Sequence, residues 1–169
     1  IGPALASGDT VVLKPPEWAP LTASLFADIT AEAGMPPGVF NVVQGIGTEA
    51  GAALAGHPGV SRICFTGSVP TAKAVARAAA DNLTPLSFEL GGKSPTIVME
   101  DADLGLAAEI AAEQYDNAGQ VCLAGTRLLV HESIAQEFAE RLAEKVRGIR
   151  QGDPREESTD LGPQIHPVH

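Results

Sequence analysis

The chain has 169 residues, 44% of them hydrophobic and only 4% aromatic, which excludes a disordered polar tract and is enough for a core built from Ala, Val, Leu and Ile. A net charge of −10, from 21 acidic and 11 basic residues, repels phosphate backbones and argues against nucleic acid as a partner. No apolar run is long enough to span a bilayer and no signal peptide is visible. The two cysteines, Cys64 and Cys122, form neither a disulfide framework nor a Cys-x-x-Cys, so no membrane, no metal and a reducing, cytoplasmic setting are expected.

In chain order, Ser7-Gly8-Asp9 is a turn signal before the buried strand Val11-Val12-Leu13, which Pro15 and Pro16 end. Pro20 opens a helix carrying Leu21, Leu25 and Ile29 at helical spacing, and Gly34 closes it. Phe40–Val43 is a second strand, followed by Gly45–Gly51 and a short helix through about Ala55. Val60–Phe65 is a third strand ending at Thr66-Gly67-Ser68, and a helix over Val69–Ala80 follows. Leu86–Leu90 and Pro95–Met99 are the fourth and fifth strands. The alternation predicts an α/β fold with a mainly parallel sheet, whose ligands bind at the C-terminal ends of the strands. Lys14, Glu17, Ser68 and Glu89 all fall there, so they are expected on one edge. Asp101-Ala102-Asp103 caps a long helix over Leu104–Asp116, Cys122 lies in the loop after it, and Thr126–Val130 is a strand. An amphipathic helix then places Ile134, Phe138, Leu142 and Val146 on one face, and a charged loop starts at Gln151. The chain starts at Ile1 and stops in a polar loop, so it reads as an internal piece of a longer protein, with a domain boundary near Gly91 to Pro95.

The stretch from Phe88 to Cys122 holds the groups with the most chemistry. Cys122 sits among Gly119, Gln120 and Gly125, where an exposed thiolate could attack a carbonyl. A lone cysteine is more often a small buried hydrophobe, and the local pattern leaves the two readings level. Cys64, between Ile63 and Phe65, reads as core. Glu89 ends an apolar strand before two glycines, where a carboxylate can serve as a general base; on its own, a solvated or lysine-paired glutamate is the commoner case. Lys14 and Glu17 could hold ribose hydroxyls or a phosphate, although surface charge is the simpler account of each. Gly67-Ser68 offers a backbone N–H and a hydroxyl to pyrophosphate, or simply caps a helix. Gly45, Gly47 and Gly51 lack the Gly-x-Gly-x-x-Gly spacing. His57, His131, His166 and His169 read as solvated turn residues.

Five stretches in register, Lys14-Pro15-Pro16-Glu17, Phe65-Thr66-Gly67-Ser68, Glu89 to Pro95, Gly119-Gln120-Val121-Cys122 and Asp160-Leu161-Gly162-Pro163, resemble the aldehyde dehydrogenase superfamily over essentially the whole chain. The resemblance implies a Rossmann-like NAD(P)-binding domain over residues 1–91 and the start of the α/β catalytic domain over 92–169. It implies aldehyde oxidation to a carboxylic acid, with Cys122 forming a thiohemiacetal and then a thioester and Glu89 activating the water that hydrolyses it. Lys14 and Glu17 would hold the adenosine ribose, Ser68 and Gly67 the pyrophosphate, and Leu90 would also contact the cofactor. Glu17 favours NAD over NADP, since a 2′-phosphate would face a carboxylate. The partner would be a small-molecule aldehyde, and the family is usually homodimeric or homotetrameric. Asp81 to Pro85 and Glu113 to Asn117 look similar to dehydrogenases of hydroxymuconic-type semialdehydes.

Three departures matter. Ala72 stands where many members carry glycine. The family's oxyanion asparagine falls before Ile1, and the glutamate that holds the nicotinamide ribose falls after His169. Losing an oxyanion donor costs ~10²–10³ in rate, so the 169 residues by themselves are expected to be inactive. The competing readings are transfer of the thioester to coenzyme A and a nucleotide-binding module without catalysis; the second needs neither Cys122 nor Glu89.

Overall fold

The computed structural model describes residues 1–168, which divide into two compact units, 1–89 and 90–168.

The first unit begins with helix α1 (Gly2–Ala6), with proline in its first turn, and strand β1 (Val11–Leu13). Helix α2 (Leu21–Glu32) leads to strand β2 (Phe40–Val42), which pairs with β1 in parallel, Val12 opposite Asn41. A π-helical turn over Gly47–Gly51 runs directly into the one-turn helix α3 (Ala52–Ala55). Strand β3 (Ile63–Gly67), helix α4 (Val69–Ala80) and strand β4 (Leu86–Leu90) follow, and β3 and β4 are hydrogen-bonded neighbours. The expected sheet is thus present here as separate two-stranded ladders, β1–β2 and β3–β4. β3 starts at Ile63 rather than Val60 because Val60 is spent elsewhere. Its N–H closes a turn on the His57 carbonyl at 3.1 Å, and its carbonyl accepts from the Thr84 hydroxyl at 3.4 Å.

Small side chains set the packing of this unit. Ala55, Ala72 and Ala79 are buried, as is Thr84. Ala72, at the position where the resemblance expects glycine, is buried with its methyl accommodated. Two edge-to-face ring pairs add larger apolar contacts, Phe26–Phe40 at 5.2 Å and Phe65–Phe88 at 6.2 Å between centroids. The stripe Leu21, Leu25 and Ile29 is helical as its spacing predicts, but all three side chains are exposed, and α2 buries no residue within this chain.

The reading of Cys64 as a core residue is overturned. Cys64 is exposed, because β3 alternates and turns Ile63 and Phe65 inward while Cys64 faces the uncovered side.

In the second unit, strand β5 (Pro95–Val98) pairs in parallel with strand β6 (Arg127–Val130) in the register Pro95 to Arg127 and Val98 to Val130. Helix α5 (Leu104–Ala112) is capped by Asp103, whose Oδ1 accepts the N–H groups of Gly105 at 2.8 Å and Leu106 at 3.1 Å, worth about 1 kcal/mol. The helical reading to Asp116 is too long, since Asp116 turns extended and Asn117 and Ala118 left-handed. After β6 a short 3₁₀ turn (Glu132–Ile134) enters helix α6 (Ala135–Arg147). Phe138 is 2% exposed and packs with Val98, Ala108 and Ala111, flanked by Leu128, Val130, Ile134 and Leu142. Ile134, Phe138 and Leu142 of the apolar stripe read from the sequence thus lie in the core of this unit, while Val146 does not join that cluster.

Candidate active site

Lys14 follows β1 directly, and Glu17 lies one helical spacing further on. Lys14 Nζ stands 3.3 Å from Glu17 Oε1 and donates to the Pro15 carbonyl at 3.0 Å. Glu17 Oε1 also accepts the Gly47 N–H at 2.5 Å, from the first residue of the π-helical turn. Backbone N–H groups, its own and then that of Gly47, hold the Glu17 carboxyl below its ordinary value, with Lys14 adding to the effect. Both contacts use Oε1, which leaves Oε2 able to accept a hydroxyl. The two residues singled out for ribose binding are thus brought together, and the structure adds Gly47, which sequence reasoning missed.

Gly67 is the last residue of β3 and Ser68 caps α4. Ser68 Oγ accepts the Thr71 N–H at 3.3 Å and lies 2.9 Å from the Thr71 hydroxyl. Pro70 supplies no N–H, so the start of α4 presents two paired hydroxyls more than a row of backbone donors. Glu89 and Leu90 are the last two residues of β4; Glu89 is exposed and Leu90 half-buried. Glu89 belongs to the first unit and Cys122 to the second, so each is described within its own unit.

Cys122 is exposed in a tight turn, with the Ala124 N–H donating to the Val121 carbonyl at 3.1 Å. The turn is reached through three consecutive left-handed residues, Asn117 at φ 51°, Ala118 at φ 57° and Gly119 at φ 74°. Glycine suits that conformation, whereas alanine adopts it at a cost of roughly 1–2 kcal/mol. Downstream, the Gly125 N–H donates to Gln114 Oε1 in a very short bond, while Gln114 Nε2 donates to the Ile110 carbonyl at 3.0 Å. A Cβ at Gly125 would collide with the Thr96 hydroxyl, so glycine is required there by close approach. Gln120 and Gln114 both lie in stretches the sequence singled out, but as uncharged side chains they carried no signal of their hydrogen-bonding role.

The Asp160-Leu161 motif closes a further loop. The Arg150 guanidinium donates to both Asp160 oxygens, Nε to Oδ2 at 2.9 Å and Nη2 to Oδ1 at 3.0 Å, and the Arg150 N–H donates to Oδ2 at 2.9 Å. This bidentate pairing lowers the Asp160 carboxyl to about 2. Leu161 is buried beside it.

His57, His131 and His166 each accept, through Nδ1, the N–H two residues on, at 3.0, 3.4 and 3.1 Å; they cap turns instead of merely facing water. His169 lies outside the described residues. Among the described residues no cluster of His, Cys, Asp and Glu could hold a metal, and no helix is long and apolar enough to cross a membrane.

A family profile described as "Aldehyde dehydrogenase family" matches residues 1–169. The chain belongs to the aldehyde dehydrogenase family. It is 52% identical over 166 residues to the chloroplastic aminoaldehyde dehydrogenase ALDH10A8 of Arabidopsis thaliana, covering 98% of this chain and 33% of that protein. The crystal structure of HpcC from Thermus thermophilus superposes with a TM-score of 0.93 at 52% identity, over 98% of this chain and 32% of that one. Betaine aldehyde dehydrogenase from Staphylococcus aureus, crystallised with NAD+, gives a TM-score of 0.92 at 41% identity, over 98% and 33% of the two chains. The chain therefore spans about a third of the length of the aldehyde dehydrogenases it matches.

Proposed function

We propose that the full-length protein oxidises an aldehyde to a carboxylic acid with NAD(P)+, and that residues 1–91 serve cofactor binding while 92–169 begin the catalytic domain. The observation that carries this reading is an exposed thiol, Cys122, at the tip of a loop fixed on both sides, in a chain of this family.

Cys122 Sγ, as the thiolate, attacks the carbonyl carbon of the aldehyde, forming a C–S bond and moving an electron pair onto oxygen. Bound NAD(P)+ supplies the acceptor for the hydride lost from that carbon. The carbonyl re-forms as a thioester on Cys122. Glu89 takes a proton from water, the hydroxide adds to the thioester carbon, and the C–S bond breaks to release the carboxylic acid, which loses its proton to solvent, and regenerate the thiolate.

The residues present fit a dinucleotide. Lys14 and the Oε2 of Glu17 suit the two hydroxyls of an adenosine ribose, at the C-terminal end of a parallel strand. Gly67, Ser68 and the start of the twelve-residue helix α4 suit the pyrophosphate, and Leu90 offers an apolar contact. A carboxylate at Glu17 disfavours a 2′-phosphate, so NAD is the preferred cofactor and NADP the poorer one. The substrate is a small aldehyde, with semialdehydes of the hydroxymuconic type first to be tried. The protein works as a homodimer or homotetramer in a reducing, cytoplasmic compartment, and the 169 residues alone are inactive.

The test is aldehyde-dependent NADH formation by the full-length protein, using aliphatic, aromatic and acidic semialdehyde substrates, beside its Cys122→Ala variant. Turnover abolished in the variant supports the thioester route. Turnover unchanged in the variant, or NAD binding without turnover on any aldehyde, overturns it.

A further inference from the structure

Two residues before Cys122, Gln120 has every polar group engaged within the second unit. Its backbone N–H donates to the Asn117 carbonyl at 3.2 Å, and its Nε2 donates to the same carbonyl at 2.8 Å. Its own carbonyl accepts from Asn117 Nδ2 at 3.3 Å. Its Oε1 accepts the Ile165 N–H at 2.9 Å, across 45 residues of sequence. Next to it, Gln164 Nε2 donates to the Ala118 carbonyl at 3.0 Å. Gln120 and Gln164 therefore form a reciprocal clasp: each segment gives a side-chain amide to the backbone of the other.

What the clasp encloses is the left-handed run at Asn117, Ala118 and Gly119. A run of that kind relaxes unless its surroundings over-determine it. No ion pair is formed by the run among the described residues, and none of its three residues is fully buried: Asn117 is exposed, Ala118 and Gly119 are half-buried, and Val121, Cys122 and Leu123 beyond them are exposed. The hydrogen bonds of Gln120, Asn117 and Gln164 are the directional contacts on it. They fix the backbone immediately before the thiol, and Gln114 fixes it three residues after.

We infer that Gln120 is a positioning residue for the Cys122 nucleophile, acting by clasping the left-handed run to the Gln164–Ile165 segment. The inference rests on the nucleophile reading above. Gln120 does not take a proton or touch the reacting carbon. It sets where the thiol stands when the aldehyde arrives, and misplacing a nucleophile by about 1 Å costs up to ~10²-fold in rate.

The experiment uses the full-length protein as wild type, Gln120→Ala, Gln120→Glu and Cys122→Ala. Gln120→Glu keeps the size and the acceptor for the Ile165 N–H and loses the donor to the Asn117 carbonyl. Three readouts are taken: kcat and KM for the aldehyde, NAD affinity, and the iodoacetamide alkylation rates of Cys122 and Cys64 followed separately by peptide mass spectrometry. The expected result is a kcat lowered about tenfold to a hundredfold in Gln120→Ala, a smaller loss in Gln120→Glu, and KM and NAD affinity unchanged. The Cys122 alkylation rate should change while that of Cys64, in the other unit, does not. Should Gln120→Ala fail to fold, Gln120→Glu with an altered Cys122 rate and an unaltered Cys64 rate gives the same answer. A kcat within twofold of wild type in both variants overturns the clasp while leaving the nucleophile in place. So does a parallel change at both cysteines, which would mark general loosening. Full turnover in Cys122→Ala would sink the nucleophile reading itself, and the clasp with it.

Discussion

At the exit of β1, two charged side chains lean on each other and on one backbone N–H. Around Cys122, neutral amides hold a backbone that alanine does not favour. The first arrangement combines an ion pair with a short backbone bond on the same carboxylate oxygen, and it leaves the other oxygen of Glu17 able to bind something else. The second is built from short, directional bonds, which specify a conformation but bind nothing further. The difference matches the roles proposed above, a cofactor that comes and goes at the β1 exit and a nucleophile held in place at Cys122.

That contrast can be broken most forcefully at the thiols. Cys122→Ala should lower turnover of the full-length protein on the order of 10⁴-fold or more, while Cys64→Ala leaves kcat within twofold. An equal loss at both would remove the distinction between the units.

The next largest effect concerns packing. Phe138→Ala should destabilise the protein by about 3–5 kcal/mol in urea unfolding, because the ring is 2% exposed in the core of the second unit. Gln114→Ala should cost about 1–3 kcal/mol in the same measurement, since the half-buried Gly125 N–H would lose its acceptor. A negligible change would mean that water takes over the bond and that the loop is held by Gln120 alone.

At the β1 exit the effect should be smaller and of a different kind. Glu17→Ala is expected to weaken NAD binding about threefold to tenfold, the worth of one hydrogen bond, and to narrow the preference for NAD over NADP in titrations with each. Unchanged ratios would remove Glu17 from the ribose.

The smallest effect is acid sensitivity at the Arg150–Asp160 closure. Asp160 has its carboxyl lowered from 3.8 to about 2, so its contribution is complete above pH 3.8 and is lost as pH falls toward 2. Asp160→Asn should therefore flatten the stability profile below pH 4 and leave the slope near neutrality untouched, as read by unfolding at a series of pH values.

The helices and strands were largely legible because their signals are local. Val69–Ala80 and Leu86–Leu90 have the bounds their patterns predict, and the Ile134, Phe138, Leu142 stripe is the core it looks like. Charged candidates were legible too, since Lys14 and Glu17 stand out after a strand, and the structure pairs them. Three things were not legible. The left-handed run interrupts a helical pattern at Asn117, a residue that tolerates that conformation, and at Ala118, which gives no warning of it and is bonded by a partner as far away as Gln164. Cys64 was assigned to the core from apolar neighbours, whereas strand alternation sends it to the opposite face. Gly47 entered the site only through its N–H, a group every non-proline residue carries and no pattern marks.

Ala118 has a consequence for variation within the chain. A single methyl already exceeds what its backbone geometry favours, so natural substitutions at that position should run toward glycine or asparagine. Valine, one codon change from alanine, would add a branch where the backbone is least able to take it. A catalogue of neutral variants in this protein should show a gap there.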